Sequence, residues 1–368
     1  MRVLSLSLRD FRSYEDAQAS LGPGVTVVSG PNGAGKTNLL EAIYFGSVGR
    51  SPRTTNEREL VRFGAKTTRV VVGCEAADGP HEISVGFEPG QPKRFRVDGA
   101  TVERLLDAPE RPLVSVFLPD RLDLIKGAPS LRRAHLDQLV AALWPARVQT
   151  RRSYVQALAQ RNALIARIRS GAGSQGSLSS WDGQLAEHGI ALMRDRAAAV
   201  DAIADRFRRI GEQLGLEHEL TVAYRPRSRA ATPPELRDEL GSRVQQDLQR
   251  GFTGHGPHRD ELATQLGGRD LRAYGSQGQQ RLGMLALLLS EREAIAEQRS
   301  APPVMLLDDV MSELDGDRRR ALVELLRSGG GQSVITTTDI EHVPGGGDDG
   351  VARLSIADGA VLEEVASR

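Results

Sequence analysis

Gly30-Pro31-Asn32-Gly33-Ala34-Gly35-Lys36-Thr37 is the stretch that decides the fold. It meets every fixed position of G-x-x-x-x-G-K-[ST], a pattern whose glycines let backbone N–H groups wrap phosphate oxygens without a side-chain clash. The run before it, Val25-Thr26-Val27-Val28-Ser29, is β-branched and uninterrupted, as a buried strand requires. After it, residues 38–45 put Leu39, Leu40, Ile43 and Tyr44 on one helical face. Strand, glycine turn and helix in that order turn a positive helix end toward an anion. On this reading Gly30, Pro31, Asn32, Gly33, Ala34 and Gly35 cradle phosphates and Lys36 neutralises β/γ-phosphate charge. Thr37 offers a hydroxyl to Mg²⁺, so the expected ligands are ATP and Mg²⁺.

A second site belongs with this one. Val304-Met305-Leu306-Leu307-Asp308-Asp309 is an apolar strand that ends in two acids. The last residue of such a strand sits at the carboxyl edge of a parallel sheet, where α/β folds bind ligands. Asp308 is the candidate Mg²⁺ ligand and Asp309 the candidate for polarising an attacking water. The plainer alternative is a surface strand end that caps the next helix, but the phosphate loop in the same chain weighs against it. Between the two motifs lies Tyr274-Gly275-Ser276-Gln277-Gly278-Gln279-Gln280-Arg281, followed by an apolar helical run. Ser276, the Gly278 amide and Gln279 suit a γ-phosphate at a helix N-terminus, although an ordinary N-cap reads the same way.

Outward from these motifs the chain changes character twice. Short alternating runs near the N-terminus and between residues 67 and 97 describe a β-rich lobe. From 131 to about 214, apolar residues recur at helical spacing, interrupted at Pro145 and by the Gly/Ser-rich 170–177. That pattern reads as a short helical hairpin whose tip is 170–177. Strand and helix alternation resumes after 274 and closes with a hairpin at 353–364 joined by Asp358-Gly359. The resulting division is 1–125 for the N-terminal half of the nucleotide-binding head, 126–250 for an inserted helical arm domain, and 251–368 for the C-terminal half.

Bulk composition narrows the class. Cys74 is the only cysteine, which excludes an intramolecular disulfide and fits a reducing compartment. No run approaches the ~18 apolar residues a membrane helix needs, and residues 1–8 lack the apolar core of a signal peptide, so a cytoplasmic protein without a membrane partner is expected. Formal net charge is zero, which argues against indiscriminate coating of nucleic acid but not against patches. One patch is visible. Arg132, Arg133, Arg147, Arg151, Arg152, Arg161, Arg167 and Arg169 crowd the first arm against a single acid, Asp137. They read either as phosphate contacts or as a solvated face paired with Asp182, Glu187, Asp195, Asp201 and Asp205 of the second arm.

The S-x-G-Q helix start, the two-acid strand and the following Ser312-Glu313-Leu314-Asp315 resemble the signature, Walker B and D-loop motifs of ABC-type ATPases. Further stretches make the resemblance to the RecF family close and nearly end to end. They are Asp10-Phe11-Arg12-Ser13-Tyr14, Gly49-Arg50-Ser51-Pro52-Arg53-Thr54, Phe117-Leu118-Pro119-Asp120 with Lys126-Gly127-Ala128-Pro129, and Gly254-His255-Gly256-Pro257-His258-Arg259-Asp260.

The resemblance implies an α/β ABC-ATPase head, a P-loop core sheet plus an antiparallel β subdomain, with an inserted short helical arm domain. It implies an ATP-dependent homodimer in which Ser276 of one copy completes the nucleotide site of the other. It also implies binding to single-stranded and gapped or junction duplex DNA, work with RecR and RecO in loading the recombinase, and support of the SOS response. Arg12 is expected to reach nucleotide phosphate, with a salt bridge to Glu15 or Asp16 as the alternative. The switch histidine of the wider family is missing at 336–339, where Asp339 or a threonine stands. Asp309 is one methylene shorter than the usual glutamate, which implies slow turnover. Competing readings are a transporter-type nucleotide-binding subunit and a non-catalytic scaffold regulated by ATP. The 254–260 segment has no assigned chemistry; its two histidines lack a convincing third metal ligand, and a loop near nucleotide is the expectation.

Overall fold

The computed structural model describes residues 1–119, 122–299, 301–357 and 359–364. The chain divides into two compact units, Met1–Arg121 together with Ile295–Arg368, and Leu122–Ala294.

The first unit is two six-stranded sheets with a helix between them. One sheet is antiparallel, in the order Tyr14–Ser20, Arg2–Phe11, Thr68–Ala76, Gly79–Phe87, Arg94–Val97, Ala100–Val102. The other runs Ala360–Glu364, Ala352–Ala357, Val25–Ser29, Ser333–Thr337, Val304–Leu307, Val114–Phe117, and is parallel except for the closing Ala352–Ala357/Ala360–Glu364 hairpin. The turn of that hairpin contains Asp358, which lies outside the described residues, as does Asp120 of the 117–120 stretch. Helix Lys36–Val48 is buried on more than one face, because Leu39, Leu40, Ile43 and Phe45 meet apolar residues of both sheets in one core. Burial on that scale stabilises by about 1.5–3 kcal/mol per large side chain, against the cost of chain ordering. Gln332 ties the ends of the chain together: its amide oxygen accepts from Val3 N at 2.8 Å and its amide nitrogen donates to Val3 O and Gly22 O at 2.6 and 2.7 Å.

The second unit is helical with a three-stranded sheet, Arg269–Asp270, Glu261–Leu266, Leu220–Arg225. Its long helices are Pro129–Leu143, Val148–Arg169 and Leu178–Gln213. The tip of the hairpin falls at 170–177 as the Gly/Ser content requires, and Pro145 opens a short 3₁₀ turn between the first two helices. This compact unit runs further than the 126–250 stretch marked from the sequence. Residues 251–294 join it because Glu261–Leu266 pairs antiparallel with Leu220–Arg225, and because Asp260 and Glu261 bond Arg196 and Arg132 of the arm helices.

One element boundary is set by the backbone rather than by the apolar period. The helix that carries the apolar run after 274 starts at Gln277, since Gly275 is extended (φ −71°, ψ 138°) and ends the short Leu271–Tyr274 helix. Among the described residues no helix is long and apolar enough to cross a membrane.

Candidate nucleotide-binding site

The 30–37 loop joins the Val25–Ser29 strand to the Lys36–Val48 helix in the first unit. Its shape depends on glycine at both ends. Gly30 has φ +152°, and a Cβ there would lie 2.3 Å from Ile356 O. Gly35 has φ +118°, and its Cβ would meet the Tyr14 hydroxyl at 2.9 Å. That hydroxyl donates to Gly35 O at 2.9 Å and so pins the loop to the antiparallel sheet. Pro31, Asn32 and Gly33 are exposed, so the outer rim of the loop is open, while Ala34 and Gly35 are buried. Lys36 is only 7% exposed, and its Nζ donates to Gly30 O at 2.7 Å and to Pro31 O at 3.0 Å. Burial lowers the Lys36 pKa, while the charges of Asp309 and Asp308 oppose that shift and favour the cation.

Asp308 follows the Val304–Leu307 strand at the carboxyl edge of the parallel sheet, and its N–H donates to Phe117 O at 3.0 Å. The Thr37 hydroxyl lies 3.0 and 2.9 Å from its two carboxylate oxygens, and Thr336 Oγ1 donates to Oδ1 at 2.7 Å. Burial raises the Asp308 pKa, against the hydrogen bonds from Thr336 and Thr37.

The neighbouring Asp309 sits in the left-handed region (φ 42°, ψ 30°), a conformation that costs a non-glycine residue of order 1–3 kcal/mol and tends to mark functional sites. Its N–H donates to Thr336 Oγ1 at 2.9 Å and its Oδ2 accepts from Ser312 Oγ at 3.0 Å. Its Oδ1 is buried with no hydrogen-bond partner.

This donor set fits Mg²⁺. A hydroxyl and a carboxylate within 3.0 Å of each other are hard oxygen ligands, and a small cation that keeps most of its waters needs only one or two from the protein. Thr37 and Asp308 are the residues that would hold it. Among the described residues no cluster of three His, Cys, Asp or Glu forms a metal cage, the two histidines of 254–260 included.

Several participants were not singled out from the sequence. Thr336 bonds both acids, and no spacing rule announces a threonine in that role. Glu41, 2% exposed, collects Arg12 at 2.8 Å, Arg53 at 3.0 Å and Ser51 Oγ at 2.5 Å. The Arg53 charge in turn works against the raised pKa of Asp308. Arg12 therefore pairs with Glu41 and Glu59, and Glu15 pairs with Arg62 instead. The alternative partners of Arg12 in its own turn, Glu15 and Asp16, are thus not the ones it takes; its backbone has a positive φ (+52°).

In the second unit, Ser276 is exposed and caps the Gln277–Arg299 helix. Its Oγ accepts from Gln279 N at 3.3 Å while its own N–H donates to Gln279 Oε1 at 2.8 Å, a reciprocal capping box. Gly278 is also exposed. Gln279 is thus occupied locally, and the ordinary N-cap reading holds as geometry.

The arginines of the first arm are mostly spoken for within that unit. Arg132 bonds Glu261, Arg147 bonds Asp195, Arg151 bonds Asp137, and Arg133 donates to Asp260 O. Arg161, fully buried, bonds Asp182 and Asp247 at 2.7 Å each. Pairing with the second arm involves Arg147 and Arg161, while Arg132, Arg133 and Arg151 are held by Glu261, the Asp260 carbonyl and Asp137. Among the described residues only Arg167 and Arg169 of the eight are exposed without such a partner.

Comparison with known proteins agrees with this geometry. The AAA domain family matches residues 5–103. The DNA replication and repair protein RecF of Anaeromyxobacter sp. (strain Fw109-5) is 40% identical over 362 residues, covering 95% of this chain and 96% of that protein. RecF of Myxococcus xanthus (strain DK1622) is 36% identical over 372 residues, covering 98% and 97%. Among solved structures, the recombination mediator protein RecF with ATP in the RecFOR pathway superposes with a TM-score of 0.87 at 28% identity, over 99% of this chain and 98% of that one. An Smc head domain from Pyrococcus furiosus shares the fold, with a TM-score of 0.60 at 19% identity. Likeness at this level along almost the whole length identifies the chain as a member of the RecF family of DNA replication and repair proteins.

Proposed function

We propose that the protein binds ATP with Mg²⁺ at the 30–37 loop, closes on it as a homodimer, and in that state clamps DNA at gaps and single-strand/duplex junctions. The observation that carries this reading is the contact of the Thr37 hydroxyl with the buried Asp308 carboxylate directly under the loop that encloses Lys36. Lys36 brings a buried positive charge to the phosphates, and the loop amides supply donors. Thr37 and Asp308 would hold Mg²⁺, which would neutralise phosphate charge there. The unpartnered Oδ1 of Asp309 is the acceptor that orients the attacking water, and Thr336 holds both acids in place. Strain at Asp309 and its short side chain favour slow turnover, below about 10 per second. The exposed Ser276 end of its helix offers a second anion site, which on this reading completes the nucleotide site of a twin. Relatives described within the RecFOR pathway support RecO and RecR as partners in loading a recombinase.

The test is the size of the protein in solution with ATP, with ADP and without nucleotide, together with phosphate release. A dimer formed only with ATP, and lost with hydrolysis in Lys36→Ala, is the expected result. An unchanged size in all three states, with no phosphate released, overturns the reading.

A further inference from the structure

The 254–260 segment, left without chemistry above, lines an open cavity of about 400 Å³ with Arg227, Arg250, Phe252, Gly254 and Arg259. The three guanidiniums come from three elements: the loop after the Leu220–Arg225 strand, the last turn of the Val244–Arg250 helix, and the Pro257–Arg259 3₁₀ turn. All three residues are exposed, and among the described residues none has a carboxylate partner. The acids beneath them, Asp247 and Asp260, are each 1% exposed and bonded inward. Asp247 accepts from Arg161 Nη1 and Gly254 N, while Asp260 accepts from Tyr224, Arg196 and the backbone N–H of Arg227. These acids are therefore engaged from within, and the three surface guanidiniums have no carboxylate partner of their own among the described residues.

The cluster is also built rather than scattered. The Arg259 guanidinium rests 5.2 Å from the Phe252 ring centroid. Arg250 Nη1 lies 2.7 Å from where a Cβ of Gly254 would stand, and the Arg169 guanidinium packs against Gly251 at 2.2 Å from the corresponding point. The positive field reaches inward. His258, next to Arg259 in the chain, has its pKa pushed down to about 4, by burial first and then by the Arg259 and Arg133 charges.

Three convergent forks without an anion repel one another, and guanidiniums match phosphate oxygens in shape and charge. An open mouth beside a ring that is 42% exposed suits a strand passing by, with room for a sugar or base at Phe252. We propose that the Arg227–Arg250–Arg259 cavity binds a phosphate group of a nucleic-acid strand, which gives the 254–260 segment its role. The inference rests on the DNA-binding reading above and adds to it a specific contact.

The test measures anisotropy of a labelled single strand and a gapped duplex with the full-length protein over a series of salt concentrations, with ATP. Arg227→Gln, Arg250→Gln and Arg259→Gln are made singly and together, with Arg237→Gln as an exposed arginine outside the cavity. Each single variant is expected to weaken binding about fivefold, and the triple variant about 100-fold. The slope of log affinity against log salt should fall by about one in the triple variant, with the melting temperature unchanged. Strands with and without a 5′-phosphate separate the sources. Equal losses place an internal phosphate in the cavity, and a loss confined to the phosphorylated strand places the strand end there. A triple variant that keeps parental affinity and salt slope overturns this inference alone. A parent protein that binds neither DNA overturns the DNA-binding reading with it.

Discussion

Asp308 is where the chemistry of single residues can be checked without any turnover. Burial raises its pKa, so the folded state prefers the protonated form. The stability that this preference lends is complete below the unfolded carboxylate value near 4. It is withdrawn as pH rises through the raised folded value, which leaves an ionised buried carboxylate at neutral pH as a cost that a cation offsets. Mg²⁺ is therefore expected to raise the melting temperature of the parent at pH 7.5, while Asp308→Asn melts higher than the parent in EDTA and gains nothing from Mg²⁺. Thermal denaturation with and without the metal checks both parts, and a variant that still responds to Mg²⁺ removes Asp308 from the ligand set.

At this scale the sequence was legible where chemistry fixes spacing. Thr37 and Asp308 meet within 3.0 Å and Lys36 is held by its loop, because that loop and the strand end both stand at the carboxyl edge of one parallel sheet. Glu41 was not legible, and Thr336 was legible only as a place where a switch histidine is missing, not as a partner of the acids. A threonine hydroxyl bridging two acids, or a glutamate collecting two arginines, arises from the order of strands in the sheet rather than from any local pattern.

At the scale of elements, helix Val148–Arg169 is fastened to the 251–260 loop by paired polar groups rather than by apolar packing alone. Tyr154 and His258 show how. The His258 Nε2 lies 2.9 Å from Thr253 O, a carbonyl that can only accept, so Nε2 carries the proton and Nδ1 accepts from the Tyr154 hydroxyl at 2.7 Å. This neutral tautomer agrees with a pKa pushed down to about 4 by burial and by the Arg259 and Arg133 charges, against a pull from Asp247. The unfolded chain therefore binds a proton that the folded one refuses between about pH 6.5 and 4. The stability tied to His258 is present above 6.5 and lost as pH falls through 4, a swing of up to about 3 kcal/mol. Urea unfolding at a series of pH values should show this slope in the parent and a shallower one in His258→Gln. Equal slopes would mean that the histidine titrates normally in the fold. The helices were readable from their apolar period, and the 170–177 tip from its Gly/Ser content. The period could not show that Arg161 and Arg196 turn inward, because charged residues on a helix ordinarily face water. The neighbouring acids Asp182, Asp247, Asp137 and Asp260 make burial tolerable here.

For the whole molecule, the chain order separates the two halves of the proposed ATP site. The 30–37 loop, Asp308 and Asp309 belong to the unit built from both chain ends, whereas the Ser276 helix start belongs to the inserted unit. Composition and motifs announced an insertion. The compact unit runs beyond the 126–250 stretch, because Glu261–Leu266 pairs with Leu220–Arg225, some forty positions upstream. If a twin supplies the serine-led helix start, function is recoverable from two broken copies. Lys36→Ala destroys a loop but keeps a sound helix start, and Ser276→Arg does the reverse, so neither variant alone has a complete site. In a mixture, the heterodimer pairs the intact loop of the Ser276→Arg chain with the intact helix start of the Lys36→Ala chain. With equal amounts and free exchange, half the dimers are mixed and one of their two sites works, so phosphate release should recover to about a quarter of the parent's. If each chain instead used its own Ser276, every site in the mixture would stay broken and the rate would remain at the level of the separate variants.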